Sequence, residues 1–486
     1  MNQEIRTLQP TALWNHFCDL NAIPRPSKKE QKVIEFMKQF GSNLQLPTLE
    51  DEAGNVIIKK PATAGMEQKE SVVLQGHLDM VHQKNADTDF NFDTQGIEMF
   101  VDGDWVKAKG TTLGADNGIG VSAIMALLAS KDIPHPALEA LFTIDEETGM
   151  TGALELKGGL LESNIMLNLD TEEDNELTIG CAGGVDVTAN GSYNMINPSN
   201  HIAYKIMLKG LTGGHSGIDI HKGRANANKQ MNRVLYELNK KMDIEISSIA
   251  GGSLRNAIPR ESVSVVVISN NDNEAFEAIV KNMNDILHIE YLDTDPNIQL
   301  SLEKTDMPNT VFEKEFQFKI LRTIYACHHG IYRMSPTIAS LVQTSNNLSK
   351  IEIAEGKYNI QCLTRSSVDT EKTDLANALT ADFEMLGASI TYGGNYPGWM
   401  PNPSAPIVTL MSNLYKEMFH DEAHVSACHA GLECGILGTN YPKMQMISFG
   451  PNIYGAHSPD EKVQISSVQK FWSFLLESLK RIPNKQ

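Results

Sequence analysis

The chain has 486 residues, 41% of them apolar, which is more than one ordinary hydrophobic core needs, so at least two domains are expected. Its 60 acidic residues outnumber 41 basic ones, and the formal charge of -19 repels phosphate backbones and anionic lipids, which argues against nucleic-acid or membrane partners. No apolar run is long enough to span a bilayer, the start MNQEIRTLQPTALW has no secretory pattern, and six scattered cysteines form no CxxC pair; a reducing cytoplasm is the expected compartment.

Residues 70 to 185 alternate short apolar runs with one clear helix, the pattern of a layered α/β domain. Strands are predicted at Ser71–Gln75, Glu139–Ile144 and Asn164–Leu169. Between the first two, Gly118–Ser130 is apolar nearly all round and predicts a helix buried on most sides. From about 190 to 395 the character changes to an α+β insert, with strands such as Ser262–Ile268 and Ile360–Leu363 and amphipathic helices such as Ala225–Lys240 and Thr373–Leu386. Its halves offer elements in comparable order, which raises an internal duplication, although no residue-level repeat accompanies it. The glycine- and proline-rich stretch Tyr392–Pro406 reads as a return crossing, after which the chain completes the first domain. The expected organisation is a first segment 1–186, an insert 187–398 and a second segment 399–486.

Acidic residues and a histidine follow directly on the predicted strands: His77-Leu78-Asp79 after the first, Asp145-Glu146-Glu147 after the second, and Asp170 after the third. In an open α/β sheet, ligands bind beyond the carboxyl ends of the strands, where these residues would converge. Gly110–Gly120 is a glycine-rich turn presenting Asp116 at the start of the buried helix, and Phe449–Glu461 carries His457 between small residues. Histidines mixed with carboxylates suit zinc better than calcium or magnesium. Taken singly, Asp116 reads as an N-cap and Asp145-Glu146-Glu147 as a solvated strand end. Asp79, two residues from His77, is placed to fix the imidazole tautomer, while Glu146 and Glu147 would point opposite ways, one to metal and one to substrate.

The motifs GHLDMV, GTTLGADNGIG, DEETG, NLD, GGHSGIDIH and FGPNIYGAHSPDE, in this order over nearly the whole chain, resemble the zinc-dependent M20 metallopeptidases, and most of all their aminoacyl-histidine dipeptidases. The resemblance implies an α/β zinc-peptidase catalytic domain, a mixed sheet flanked by helices, with an inserted α+β lid. It further implies two zinc ions per chain, replaceable by cobalt or manganese, one on His77, Asp116 and Asp170 and the other on Asp116, Glu147 and His457. Asp116 then bridges, Glu146 is the general base and Asp79 orients His77. Two cations about 3.5 Å apart need such an anionic bridge, and water between them becomes a hydroxide-like nucleophile. The expected reaction is hydrolysis of dipeptides, including aminoacyl-histidine peptides such as β-alanyl-histidine. Tripeptidase, carboxypeptidase and N-acyl amino acid deacylase activities are the alternatives; a non-catalytic binding homologue fits less well, because ligands and base are all present.

His215, in Gly213–His221, is the lid histidine by resemblance and a candidate donor to the developing oxyanion. Asn256 and Arg365 are further lid candidates for gripping substrate, Arg365 through a bidentate pair with a peptide carboxylate; a strand end on the surface is an equally good reading of Arg365. A lone histidine on a glycine-rich turn is more often structural. His429 and Glu433 are spaced like neighbours one helical turn apart and read as a pair or a substrate contact. Whether the lid acts within its own chain or is completed by a second copy in a homodimer stays open.

Overall fold

The computed structural model describes residues 2–485. Two compact units make up the chain: Met1–Gly180 with Pro401–Ala427 and Leu432–Gln486, and Cys181–Met400 with Cys428–Gly431. In chain order the elements needed below are β1 (Thr48–Glu50), β2 (Val56–Lys60), β3 (Val72–His77), α1 (Ala115–Ala129), β4 (Leu138–Thr143), β5 (Ile165–Asn168) and β6 (Glu176–Cys181). The second unit contributes β7 (Gly183–Ser192), β8 (Ile202–Lys209), α2 (Ala227–Lys241), β9 (Glu245–Gly251), β10 (Ser262–Ile268), α3 (Asn273–Glu290), β11 (Gln299–Thr305), α4 (Lys314–Ala326), β12 (Val342–Ala354), β13 (Lys357–Ser366), α5 (Asp369–Met385) and β14 (Ser389–Tyr396). The return adds β15 (His424–Cys428), α6 (Glu433–Asn440), β16 (Gln445–Ser448) and α7 (Ile465–Arg481).

The first sheet runs β1-β2-β4-β3-β5-β16-β6-β15. β3 lies parallel to β4 and β5, and β16 parallel to β5, so four strands end at one edge. Antiparallel β1, β2 and β6 make the sheet mixed. β3, β4 and β5 are buried on both faces, which is why they read as continuous apolar runs without alternation. They lie within a residue or two of their expected positions. In α1 every residue is buried except Asp116 and Ala129, so the helix has no polar face, in keeping with its sequence.

The second unit is a nine-stranded sheet of order β11-β8-β10-β9-β12-β13-β7-β14, with Gly330–Met334 paired to β12 off this path. From the central β9·β12 pair outward, one half reads β9, β10, β8, β11 and the other β12, β13, β7, β14. Along the chain one half runs β8, α2, β9, β10, α3, β11 and the other β7, α4, β12, β13, α5, β14, so the halves share both orders and the first is inserted after β7. Their helices pack into one apolar core, which includes Val187, Leu235, Phe276, Ile351, Ile360 and Phe383.

Two expectations need correction. Tyr392–Tyr396 is not a crossing loop but part of β14, which pairs with β7; as an exposed edge strand it tolerates Gly393 and Gly394, and the register slips there. The compact units divide after Gly180 and Met400, whereas the boundary expected after residue 186 falls inside β7. β6 passes almost directly into β7, so no turn signal marks the change.

Candidate active site

In the first unit the strand ends carry the predicted residues. β3 ends on His77, whose Nε2 lies 3.1 Å from Asp116 Oδ1 and 3.4 Å from Asp170 Oδ1. His457 Nε2 lies 3.4 Å from Asp116 Oδ2 and 3.0 Å from Glu147 Oε2. The two oxygens of Asp116 therefore face different histidines. Three groups offer ligand atoms that all lie within 4.8 Å of one another: His77, Asp116 and Asp170; Asp116, Glu147 and His457; and His77, Glu146 and Glu147. Most of this cluster is buried, but the His457 side chain is 57% exposed and forms its rim.

Local sequence explains the placement. Gly114, at φ 69°, makes the left-handed turn into α1 that delivers Asp116. A Cβ on Gly120 would stand 2.4 Å from Leu169 O, so only glycine lets α1 approach the end of β5, where Asn117 Nδ2 donates to the same carbonyl at 2.5 Å. After β4, Asp145 takes φ 56° and its carboxylate accepts from the hydroxyls of Thr148 and Thr151, closing the turn that presents Glu146 and Glu147. Asp79, fully buried, lies 3.4 Å from His77 Nδ1 and also accepts from Ser27 Oγ and from the backbone N–H groups of Glu146 and Glu147. One carboxylate thus orients the imidazole and holds the turn.

The electrostatics point to a cation. Burial alone would keep His77 neutral, yet Asp170, Asp116 and Asp79 push its pKa well above the ordinary value. Hydrogen bonds to Asp116 and Glu147 push His457 up to about 11. Burial, opposed by His77 and reinforced by Asp170, Glu147 and Glu433, pushes Glu146 well above the usual carboxylate range. Asp170 Oδ1 is buried without a hydrogen-bond partner. Among the described residues no lysine or arginine pairs with Asp116, Glu146, Glu147 or Asp170. Imidazoles and carboxylates gathered without a lysine or arginine paired to them form a donor set that fits borderline divalent metals.

Sequence reasoning missed the support beneath this cluster. Arg25, 1% exposed, donates to the carbonyls of Leu78, Asp79 and Gly114 and to Asn21 Oδ1; nothing around it in sequence marks that role. Glu461, already inside the His457 motif, accepts from four backbone N–H groups of the Asp116 turn. Glu433 Oε2 accepts from Gln75 Nε2 and Thr143 Oγ1, each at 2.6 Å, and burial pushes Glu433 up to about 7. Glu433 and His429 do not pair, a correction to the spacing argument: Glu433 opens α6 in the first unit, while His429 precedes that helix and belongs to the second.

In the second unit, His215 forms a two-residue bridge with Ala257, next to Asn256, whose carbonyl accepts from Ser216 N–H at 2.7 Å. The Asn256 side chain is exposed. His215 Nδ1 accepts from the N–H groups of Gly217 and Ile218, which leaves its hydrogen on Nε2. Burial, with the Arg365 charge, lowers its pKa to about 4, so the ring is a neutral donor. Arg365, 5% exposed, is not the surface strand end that sequence allowed: it donates to Tyr396 Oη at 2.8 Å and lies near Ser216 Oγ and His215 Nε2, none of them anionic.

His429, 7% exposed, meets Ser345 Oγ at 2.7 Å, and burial with the Arg365, His215 and His221 charges pushes its pKa down to about 3. Unfolded, it titrates near 6.5, so between about pH 6.5 and 3 the unfolded chain binds the extra proton and stability falls as pH drops. Above that window His429 adds no pH dependence. Thermal melts of His429→Asn should show a flatter acid limb than the parent; an equal slope would remove His429 as its source.

An α/β sheet with this donor set at the carboxyl edge of its parallel strands has the build of a metal-dependent hydrolase. Comparison narrows the class. The Peptidase dimerisation domain of the M20 peptidases matches residues 206–295. The cytosol non-specific dipeptidase of Escherichia coli K12 is 39% identical over 483 residues, covering 99% of this chain and 100% of that protein. The crystal structure of aminoacylhistidine dipeptidase from Vibrio alginolyticus superposes with a TM-score of 0.93 at 41% identity, over 100% of this chain and 99% of that one. A tripeptidase from Staphylococcus aureus shares the fold at a TM-score of 0.56 and 17% identity, covering 98% of this chain and 99% of that one. The chain belongs to the M20 family of metallopeptidases.

Proposed function

We propose that this protein is a dipeptidase that hydrolyses short peptides, aminoacyl-histidine dipeptides such as β-alanyl-histidine among them, with two zinc ions that cobalt or manganese can replace. The observation that carries this reading is the division of the Asp116 carboxylate, one oxygen toward His77 and the other toward His457. His77, Asp116 and Asp170 would hold one ion, and Asp116, Glu147 and His457 the other. When bound, the ions would supply Lewis-acid polarisation of the peptide carbonyl and a water acidic enough to attack near neutral pH.

The chain's own residues do the rest. Asp79 keeps the His77 ring in one tautomer and the Glu146 backbone in place. Glu146 accepts the proton of the attacking water and returns it to the departing amine. His215, a neutral donor through Nε2, serves the carbonyl oxygen as charge develops on it. Arg365, whose direct hydrogen-bonding neighbours are neutral, takes the peptide carboxylate, and Asn256 contributes a substrate contact.

Arg365→Ala should raise KM for dipeptides about 10–100-fold with a smaller change in kcat, as for loss of a hydrogen bond to a charged group. A dipeptide amide, lacking the carboxylate, should be a poor substrate for the parent and show no further loss in the variant. Equal losses on both substrates would place Arg365 elsewhere. Turnover of β-alanyl-histidine and other dipeptides against tripeptides and acylated amino acids tests the substrate class: preference for tripeptides or acylated amino acids would replace dipeptidase by tripeptidase, carboxypeptidase or deacylase.

Among the described residues no helix is long and apolar enough to cross a membrane. Cys18, Cys327 and Cys362 are buried thiols, which supports a reducing cytoplasm as the working compartment. A homodimer remains part of the proposal. β9, within the matched dimerisation segment, already pairs with β12 of its own chain, so a second copy would meet the lid on another face.

A further inference from the structure

We propose that Glu461 is a positioning residue that fastens the turn carrying Asp116 to the loop carrying His457, so that both metal positions are set before any ion arrives; this rests on reading Asp116 and His457 as ligands. Glu461 is 2% exposed. Its Oε2 accepts from Leu113 N–H at 2.7 Å and Gly114 N–H at 2.9 Å, and its Oε1 from Ala115 N–H at 2.7 Å and Asp116 N–H at 3.2 Å. Four successive N–H groups converge because Gly114 is left-handed, which turns the backbone into a concave nest for an anion. From the opposite side Arg25 Nη2 donates to Gly114 O at 2.6 Å, so the turn is held by its donors and by a carbonyl.

The same glutamate anchors the other loop. Glu461 N–H donates to Ser458 O at 3.1 Å, and Ser458 N–H to Gly455 O at 3.2 Å, closing the tight turns that flank His457. His457 itself sits at φ 64°, in the left-handed region that Asn, Asp and His enter more readily than other non-glycine residues. A short path of hydrogen bonds therefore runs from the backbone of Asp116, through the Glu461 carboxylate, to the residue next to His457. Other buried glutamates clamp backbone in this protein, Glu139 at residues 162–163 and Glu245 at 199–200, but neither touches a residue of the cluster. What sets Glu461 apart is that it joins two of the residues that share an ion.

Glu461→Gln keeps the shape but offers an NH2 to two N–H groups, which loosens the nest. Supporting groups of this kind are worth about 10–100-fold in metal affinity. Metal-free parent, Glu461→Gln and Glu461→Asp would be titrated with zinc against a chromogenic chelator and with cobalt followed by its visible spectrum, and melted without metal. We expect zinc affinity to fall about 10–100-fold in Glu461→Gln, a changed cobalt spectrum, a smaller loss in Glu461→Asp, and metal-free melting lowered in Glu461→Gln by the two N–H groups left unpaired. Parent-like zinc affinity in the folded variants, whatever their melting temperature, would overturn the proposal; if Glu461→Gln does not fold, Glu461→Asp alone decides by the same measure. A parent that takes up no metal would sink the ligand reading itself, an outcome distinct from equal affinity in parent and variant.

Discussion

Replacing Glu146 with glutamine is expected to lower kcat for dipeptides by about 10²–10⁴-fold, the usual worth of a positioned general base, while the protein keeps its metal. Glu146 lies within 4.8 Å of His77 and Glu147 at their ligand atoms, but it belongs to neither of the two groups that share Asp116. Among the described residues its carboxylate has no hydrogen-bond partner, whereas its backbone N–H is fixed by Asp79, so the side chain is placed to take a proton. Glutamine preserves the volume and removes only the basicity. Metal analysis beside steady-state kinetics decides the matter: full turnover would exclude Glu146 as the base, and loss of metal with activity would make it a ligand instead.

Asp116→Ala should have the larger effect on the centre, taking metal content from about two equivalents per chain toward none, while Asp170→Ala and His457→Ala each remove about one. The reason is geometric. Asp170 belongs only to the group of His77 and Asp116, and His457 only to that of Asp116 and Glu147, whereas Asp116 presents one oxygen to each. Without that shared anion, two cations held close together lose the charge that offsets their repulsion. A variant that still bound two equivalents would show that the ions do not share Asp116, and the proposed centre would have to be redrawn.

How far the site could be read beforehand differs from residue to residue. His77, Asp116, Glu146, Glu147 and Asp170 follow buried strands or open a buried helix, and burial on both faces leaves a local signature in sequence. Asp79 showed as a neighbour of His77, but its bonds to the Glu146–Glu147 turn cross between strands and left no such mark. Arg25 and Glu461 could not be found by pattern, because their partners are backbone groups, which every residue possesses. The pairing of His429 with Glu433 failed for a related reason: a spacing of one helical turn means contact only where there is a helix, and α6 begins at Glu433.

Sequence by itself determined the order of the elements and the strand ends that carry the acidic residues and histidines, because alternation, burial and turn chemistry act over a few neighbouring residues. Tertiary structure alone decided that the two oxygens of Asp116 face different histidines, that Arg365 is buried beside Tyr396, Ser216 and His215, and that the two halves of the second unit share one strand order outward from β9 and β12. Those facts depend on how groups up to hundreds of residues apart close hydrogen bonds and share charge, and such closures are set by packing in three dimensions.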